Sequence, residues 1–169
     1  MSATYQQASE TRPALEESDP ENLLLARAPR YRLSAEMIRD NALAASGLLS
    51  RRMGGAGAKP YDLTESFKPM GHDKGEGLYR RSVYTFWKRT GPAPVMMALD
   101  AAKRDVCRAK RENTATPLQA LVLLNDTTFV EAARALAQRM FAETADDASQ
   151  RIRYGFRLAT ARWPSATEL

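Results

Sequence analysis

The chain is poor in the residues that build covalent and metal-bound sites. Of 169 residues, one is cysteine, Cys107, and one is histidine, His72. A single cysteine excludes an internal disulfide framework. A single histidine excludes any site that needs two, and no CxxCH is present to attach haem c. Long apolar runs are missing too: nothing approaches the ~18 to 20 residues of a membrane-crossing helix. The start, Met1-Ser-Ala-Thr-Tyr-Gln-Gln, has neither the basic nor the apolar region of an export signal. Taken alone, this chain is therefore expected in the cytoplasm. What is present is globular in balance, with 44% apolar and 27% charged residues. Wholesale disorder is excluded, and the length suits one domain.

The net charge is +5, from 25 basic and 20 acidic residues. Its distribution is uneven. Between Arg80 and Arg111 lie Arg80, Arg81, Lys88, Arg89, Lys103, Arg104, Arg108, Lys110 and Arg111, opposed only by Asp100 and Asp105. Such a block suits phosphate, an acidic sugar or an acidic protein face; it equally suits a solvated surface. Arg80, Arg81, Lys88, Arg89, Arg104, Arg108 and Arg111 are the candidate anion-binding residues.

Periodicity predicts a mainly α fold of four to five packed helices, with one short strand and a long Gly/Pro-rich loop. Residues 1–18 read as extended or loose. Asp19-Pro20 signals a short helix through Leu23, Leu24 and Leu25. Ser34 is placed to cap a helix over about 35–49, with Ile38, Ala42, Ala45 and Leu49 on its buried stripe. Residues 50–78 hold six of the nine glycines and read as loop. Tyr79 to Thr90 alternates as a strand, with Val83, Thr85 and Trp87 on one face and Tyr84 and Phe86 on the other. Its partner is expected in the extended start, Ser2 to Gln6, or outside this chain. Val95 to Leu99 reads as a helical turn, and Asp100 to Arg111 fits neither pattern. Thr116-Pro117 opens a strongly apolar helix through Leu118 to Leu124, around which the others are expected to pack. Thr127 or Thr128 caps the next, to about Glu143, lined by Phe129, Ala133, Leu136, Met140 and Phe141. Asp146 or Asp147 starts the last, with Ile152, Phe156 and Leu158 on its stripe. Ser165 and Glu168 form a capping-box pair at the end.

No catalytic, metal or cofactor constellation emerges. His72 stands in a glycine-rich loop without ligands spaced beside it. Cys107 has cationic neighbours but no base, and reads as a buried small hydrophobe. Glu36 and Asp40 stand at i, i+4, and nearby Arg32 and Arg39 suggest ion pairing rather than acid–base work. Gly54-Gly55-Ala-Gly57-Ala-Lys59 lacks the spacing of a phosphate loop. Tyr84, Phe86 and Trp87 among Arg80, Arg81, Lys88 and Arg89 suit base or sugar stacking, or a core strand with charged ends. Arg111-Glu112-Asn113-Thr114 suits either an anion or an internal arginine network.

Several long phrases carry a resemblance. DPENLLLARAPRYRLSAEMIRDNALAASGLL (Asp19 to Leu49), YRRSVYTFWKRT (Tyr79 to Thr90), CRAKRENTATPLQALVLLND (Cys107 to Asp126) and the following FVEAARALAQRM together resemble the domain of unknown function 1553. The resemblance covers nearly the whole chain. It differs at Asp100-Ala-Ala-Lys103-Arg104, where the family reads Asp-Ala-Pro-Asp-Arg, and at Thr114-Ala115-Thr116-Pro117, where it reads Thr-Asn-Thr-Pro. The resemblance implies a C-terminal domain of large planctomycete-type exported proteins, located in the periplasm or at the cell surface. It also implies a c-type cytochrome domain in an upstream part of such a parent. The family sequence continues on both sides, so 1–169 is expected to be a single, incomplete domain.

The function expected is that of a non-catalytic structural or interaction module. Its partners would be other domains of the parent, an acidic protein or a polysaccharide, with nucleic acid less favoured. A polyanion-binding module using the basic block is the first alternative. Part of a hydrolase or redox enzyme completed by other residues is the second.

Overall fold

The computed structural model of the protein describes residues 2–10, 12–65, 68–88, 91–104, 106–144 and 147–169. The chain divides into two compact units, Met1–Arg32 and Leu33–Leu169.

The first unit is short. Thr4–Gln6 forms a 3-10 turn, not an extended strand. Helix α1, Pro13–Ser18, begins with proline at its first turn and ends at Asp19. The expected helix through Leu23, Leu24 and Leu25 does not form. Both carboxylate oxygens of Asp19 are taken by the amides of Leu23 and Leu24, each at 2.8 Å. Those bonds close a loop where a helix cap would need the second or third following amide. Asn22 and Leu25 adopt left-handed backbone, which a helix excludes. Arg27 fastens the loop by donating to the carbonyls of Leu15 and Pro20.

The second unit is built on α2, Ala35–Ser46. Ser34 accepts from the Met37 amide, and Gly47 at φ 81° stops the helix. Its buried face is Ala35, Arg39, Leu43 and Ser46. The expected stripe is therefore displaced, with Ile38 and Ala42 only partly buried beside the core. Helix α2 packs against α3 (Pro94–Ala98), α5 (Thr127–Glu143) and α6 (Ala148–Thr160). The core comprises Ala35, Tyr61, Ala93, Met96, Leu99, Ala101 and Phe129.

Arg39 is fully buried. Its guanidinium donates to the carbonyl of Arg80 (2.9 Å), to Ser82 Oγ (3.1 Å) and to the carbonyl of Leu78. Asp40 beside it accepts from the Ser82 amide at 2.8 Å. These contacts pin residues 78–82 to α2. The pinned segment is not the regular strand that its composition suggests. A 3-10 turn over Ser82–Tyr84 breaks the alternation, so Val83 is exposed while Ser82 and Thr85 are buried. The described residues of the segment pair through isolated bridges, Ser50 with Arg80 and Ala58 with Thr85, instead of a regular ladder. Residues 89 and 90 lie outside the described residues. The only regular ladder among the described residues lies inside the expected loop, where β1 (Leu63–Glu65) pairs antiparallel with β2 (Lys68–Met70).

Helix α4, Pro117–Asn125, forms with the capping box of Thr116 and Gln119. It is not the centre of the packing. Leu118, Leu121 and Leu124 are exposed, while Gln119 is buried, bonded to Asp100 and Thr114. Its apolar residues surround the helix, so periodicity could not tell which side is covered. Asp126, one residue before the expected threonines, caps α5 by accepting from the Thr128 amide. Asp147 caps α6; Asp146 lies outside the described residues. Phe129 and Ala132 bury the inner face of α5, while Phe141 is exposed under the Arg151 guanidinium. Ile152 is exposed, and Gly155 is the buried residue of α6, where an added Cβ would lie 2.6 Å from Met140 Sδ. Arg139 ties the helices by donating to the Ala45 carbonyl and to Glu143. Ser165 and Glu168 meet as the capping box anticipates, the carboxylate accepting from the Ser165 amide at 2.9 Å. No helix among the described residues is long and apolar enough to cross a membrane.

Replacing Arg39 by methionine keeps bulk but leaves two carbonyls and Ser82 Oγ without their donor. Urea denaturation of Arg39→Met is expected to show a loss of at least about 3 kcal/mol. An unchanged midpoint would mean that the segment 78–82 is held by something else.

Candidate anion-binding groove

The solvent side of α2 forms one wall of a groove of about 890 Å³. Such a volume lies in the range of small-ligand and peptide side-chain sites. Leu33, Met37, Ala44, Leu49 and Val83 supply apolar surface, and Arg51, Arg81, Arg104 and Arg111 supply four guanidinium groups. Arg81 and Val83 reach the groove because Arg39 holds the residues around them. Arg104 comes from the loop after α3, at a left-handed φ of 62°, with its guanidinium 4.9 Å from the Trp87 ring. Among the described residues, Arg51, Arg81 and Arg104 have no carboxylate partner.

Two carboxylates also line the groove, and both are engaged. Arg111 Nη1 lies 2.7 Å from Glu36 Oε2. Partial burial pushes the Glu36 carboxyl up, but its own backbone amide, Arg111 and Ser34 outweigh that and hold it below the ordinary value. Asp40 is tied to the Ser82 amide and lies 3.8 Å from Arg39. Glu36 is thus partnered by Arg111, 75 residues on.

The seven basic candidates separate. Arg81, Arg104 and Arg111 line the groove. Arg80 does not: it is buried, donates to the carbonyls of Arg52, Gly54 and Ala56, and stacks 4.1 Å over Tyr84. Its charge fastens the glycine loop instead of facing solvent. Arg108 pairs with Glu112 beside a smaller adjoining cavity that Arg111 also lines. Lys88 is half-buried and outside the groove, and Arg89 lies outside the described residues. Arg51 was missed because it precedes the basic block by 29 positions; only the bridge between Ser50 and Arg80 brings it there.

The remaining candidates are scattered. The rings of Tyr84, Phe86 and Trp87 are each covered by a cation, from Arg80, Lys59 and Arg104 respectively. Within Arg111 to Thr114 the side chains go to separate partners: Arg111 to Glu36, Glu112 to Arg108 and Thr114 to Asp100. Cys107 is exposed, not buried, because its loop carries no apolar face to cover it. His72 is 2.8 Å from Asp62 in a separate cleft of about 480 Å³, lined also by Tyr61, Tyr79 and Glu131. Tyr79 donates to Glu131 there at 2.8 Å.

Residues 1–169 match the family described as PSD1, Protein of unknown function (DUF1553), so the resemblance carried by the quoted motifs holds over the whole chain. No curated protein and no solved structure matches it.

Tyr61 offers a check on the geometry between this cleft and α2. Burial pushes its phenol up to about 12, with the neighbouring Arg39 charge opposing the rise. Ultraviolet titration should therefore show one tyrosine ionising last, and Tyr61→Phe should remove that step. The sign follows from a raised folded value: the stability contribution is complete below pH 10, the ordinary value, and is lost as pH rises through about 12. Ionisation of Tyr61 together with the exposed tyrosines would contradict its burial.

Proposed function

Since the chain belongs to the DUF1553 family of proteins of unknown function, we propose that it is a non-catalytic interaction module that binds an acidic ligand in the groove along α2. One observation carries this reading: four arginines line the groove and, among the described residues, only Arg111 is matched by a carboxylate. Unmatched guanidinium groups beside apolar surface favour an anion, and their planar forks suit carboxylates or phosphates. The absence of catalysis is supported by the placement of the reactive groups. Among the described residues no base stands beside the exposed Cys107, and His72, paired with Asp62, lies in another cleft away from it. In this reading the ligand is supplied by another domain of an exported, haem-carrying parent or by a separate acidic partner.

The test compares two charge reversals that change net charge equally. Arg81→Glu lies in the groove; Arg153→Glu lies on the exposed side of α6. On a heparin column Arg81→Glu should elute at markedly lower salt than the parent, and Arg153→Glu close to it. Equal shifts would show that net charge alone governs retention and would overturn the groove.

A further inference from the structure

Resting on that reading, we propose that the groove's ligand is an acidic peptide segment with apolar side chains beside its carboxylates, and that Glu36 occupies Arg111 as an internal competitor for it. The ion pair of Arg111 and Glu36 joins a loop to a helix across 75 positions and lies within the groove. It shows which chemical group the Arg111 guanidinium accepts there, a carboxylate. Among the described residues only one nitrogen of that guanidinium is engaged. Arg111 remains half exposed while Glu36 is largely covered. An incoming carboxylate therefore meets the cation from the open side, and Glu36, which stays on the groove wall when displaced, opposes it by charge as well as by occupancy.

The apolar surface and the fixed carboxylates choose between kinds of anion. Met37 and Val83, large and apolar, stand exposed along the groove, as in surfaces that take a partner's side chains. Glu36 and Asp40 lie one helical turn apart on the same wall, and Asp40 cannot swing away without releasing the Ser82 amide. A sulfated sugar reaches the arginines by charge alone, leaves Met37 and Val83 uncovered and meets both carboxylates, so it is retained there more weakly than a peptide. A peptide alternates, placing a carboxylate at the arginines and an apolar side chain on Met37 and Val83. While Glu36 holds Arg111, only a fraction of the protein is ready to bind, so the apparent affinity is lowered by that fraction.

The experiment measures fluorescence anisotropy of a labelled, amidated peptide containing two Leu-Glu pairs, added to the full chain. Glu36→Gln should bind it about three- to tenfold more tightly than the parent, Arg111→Gln more weakly, and a Leu-Gln peptide should not bind. Glu36→Ala provides the same gain if the amide at Glu36→Gln finds a new partner, and circular dichroism checks that each variant is folded. An unchanged or weaker affinity in both Glu36 variants overturns the competitor. Equal binding of the Leu-Gln peptide, or tight heparin binding with no peptide binding, overturns the ligand class. If Arg81→Glu still shifts heparin retention in either case, the groove reading survives while this inference fails. If Arg81→Glu changes neither heparin nor peptide binding, the groove itself is wrong.

Discussion

A cation sealed inside a protein must find its partners within reach or be expelled, and here that constraint falls on Arg39. Its side chain is fully buried, and its two terminal nitrogens donate to carbonyls and a hydroxyl of a segment about forty residues away, while Nε is buried without a partner among the described residues. The helix that carries it can therefore sit only where residues 78–82 supply those acceptors. Asp40 repeats the demand from the next position by taking the Ser82 amide. Arg80, whose own carbonyl Arg39 holds, extends the same logic outward by gripping the carbonyls of residues 52–56. One buried charge thus organises a helix, an irregular segment and a glycine loop in sequence.

The groove is a by-product of that arrangement. Pinning residues 78–82 brings Arg81 and Val83 alongside α2, and the bridge at Ser50 brings Arg51 to the same edge. The arginines that look outward are those that the main chain does not use. Neighbours in sequence, Arg80 and Arg81, consequently serve opposite ends: one is consumed by carbonyls and the other is left for solvent or a ligand.

Local signals were readable from the sequence, and long-range ones were not. Ser34, Thr116-Pro117 and Asp147 announced their helices because a cap acts over three residues and leaves a fixed pattern. The mainly helical architecture followed from such patterns. Arg39 was unreadable as core because charge ordinarily marks a helix's wet side, and the acceptors that make burial tolerable lie beyond any local window. Tyr79 to Lys88 imitated a strand because β-branched and aromatic residues record packing, whereas the turn at Ser82–Tyr84 is imposed by contacts with α2. Three members of the basic block, Arg81, Arg104 and Arg111, line the candidate groove, but sequence could not separate them from Arg80, since a guanidinium's partners there are backbone carbonyls that any sequence possesses.

That Arg39 grips mostly main chain has a consequence for which substitutions this surface tolerates. Carbonyl oxygens are common to every residue type, so positions 78 and 80 can be substituted without removing the acceptors that Arg39 needs. The outward-facing positions 81 and 83 contribute no atom to that grip. The framework and the charge displayed along α2 are therefore physically separable: substitutions at 81 and 83 leave every acceptor of the buried anchor in place.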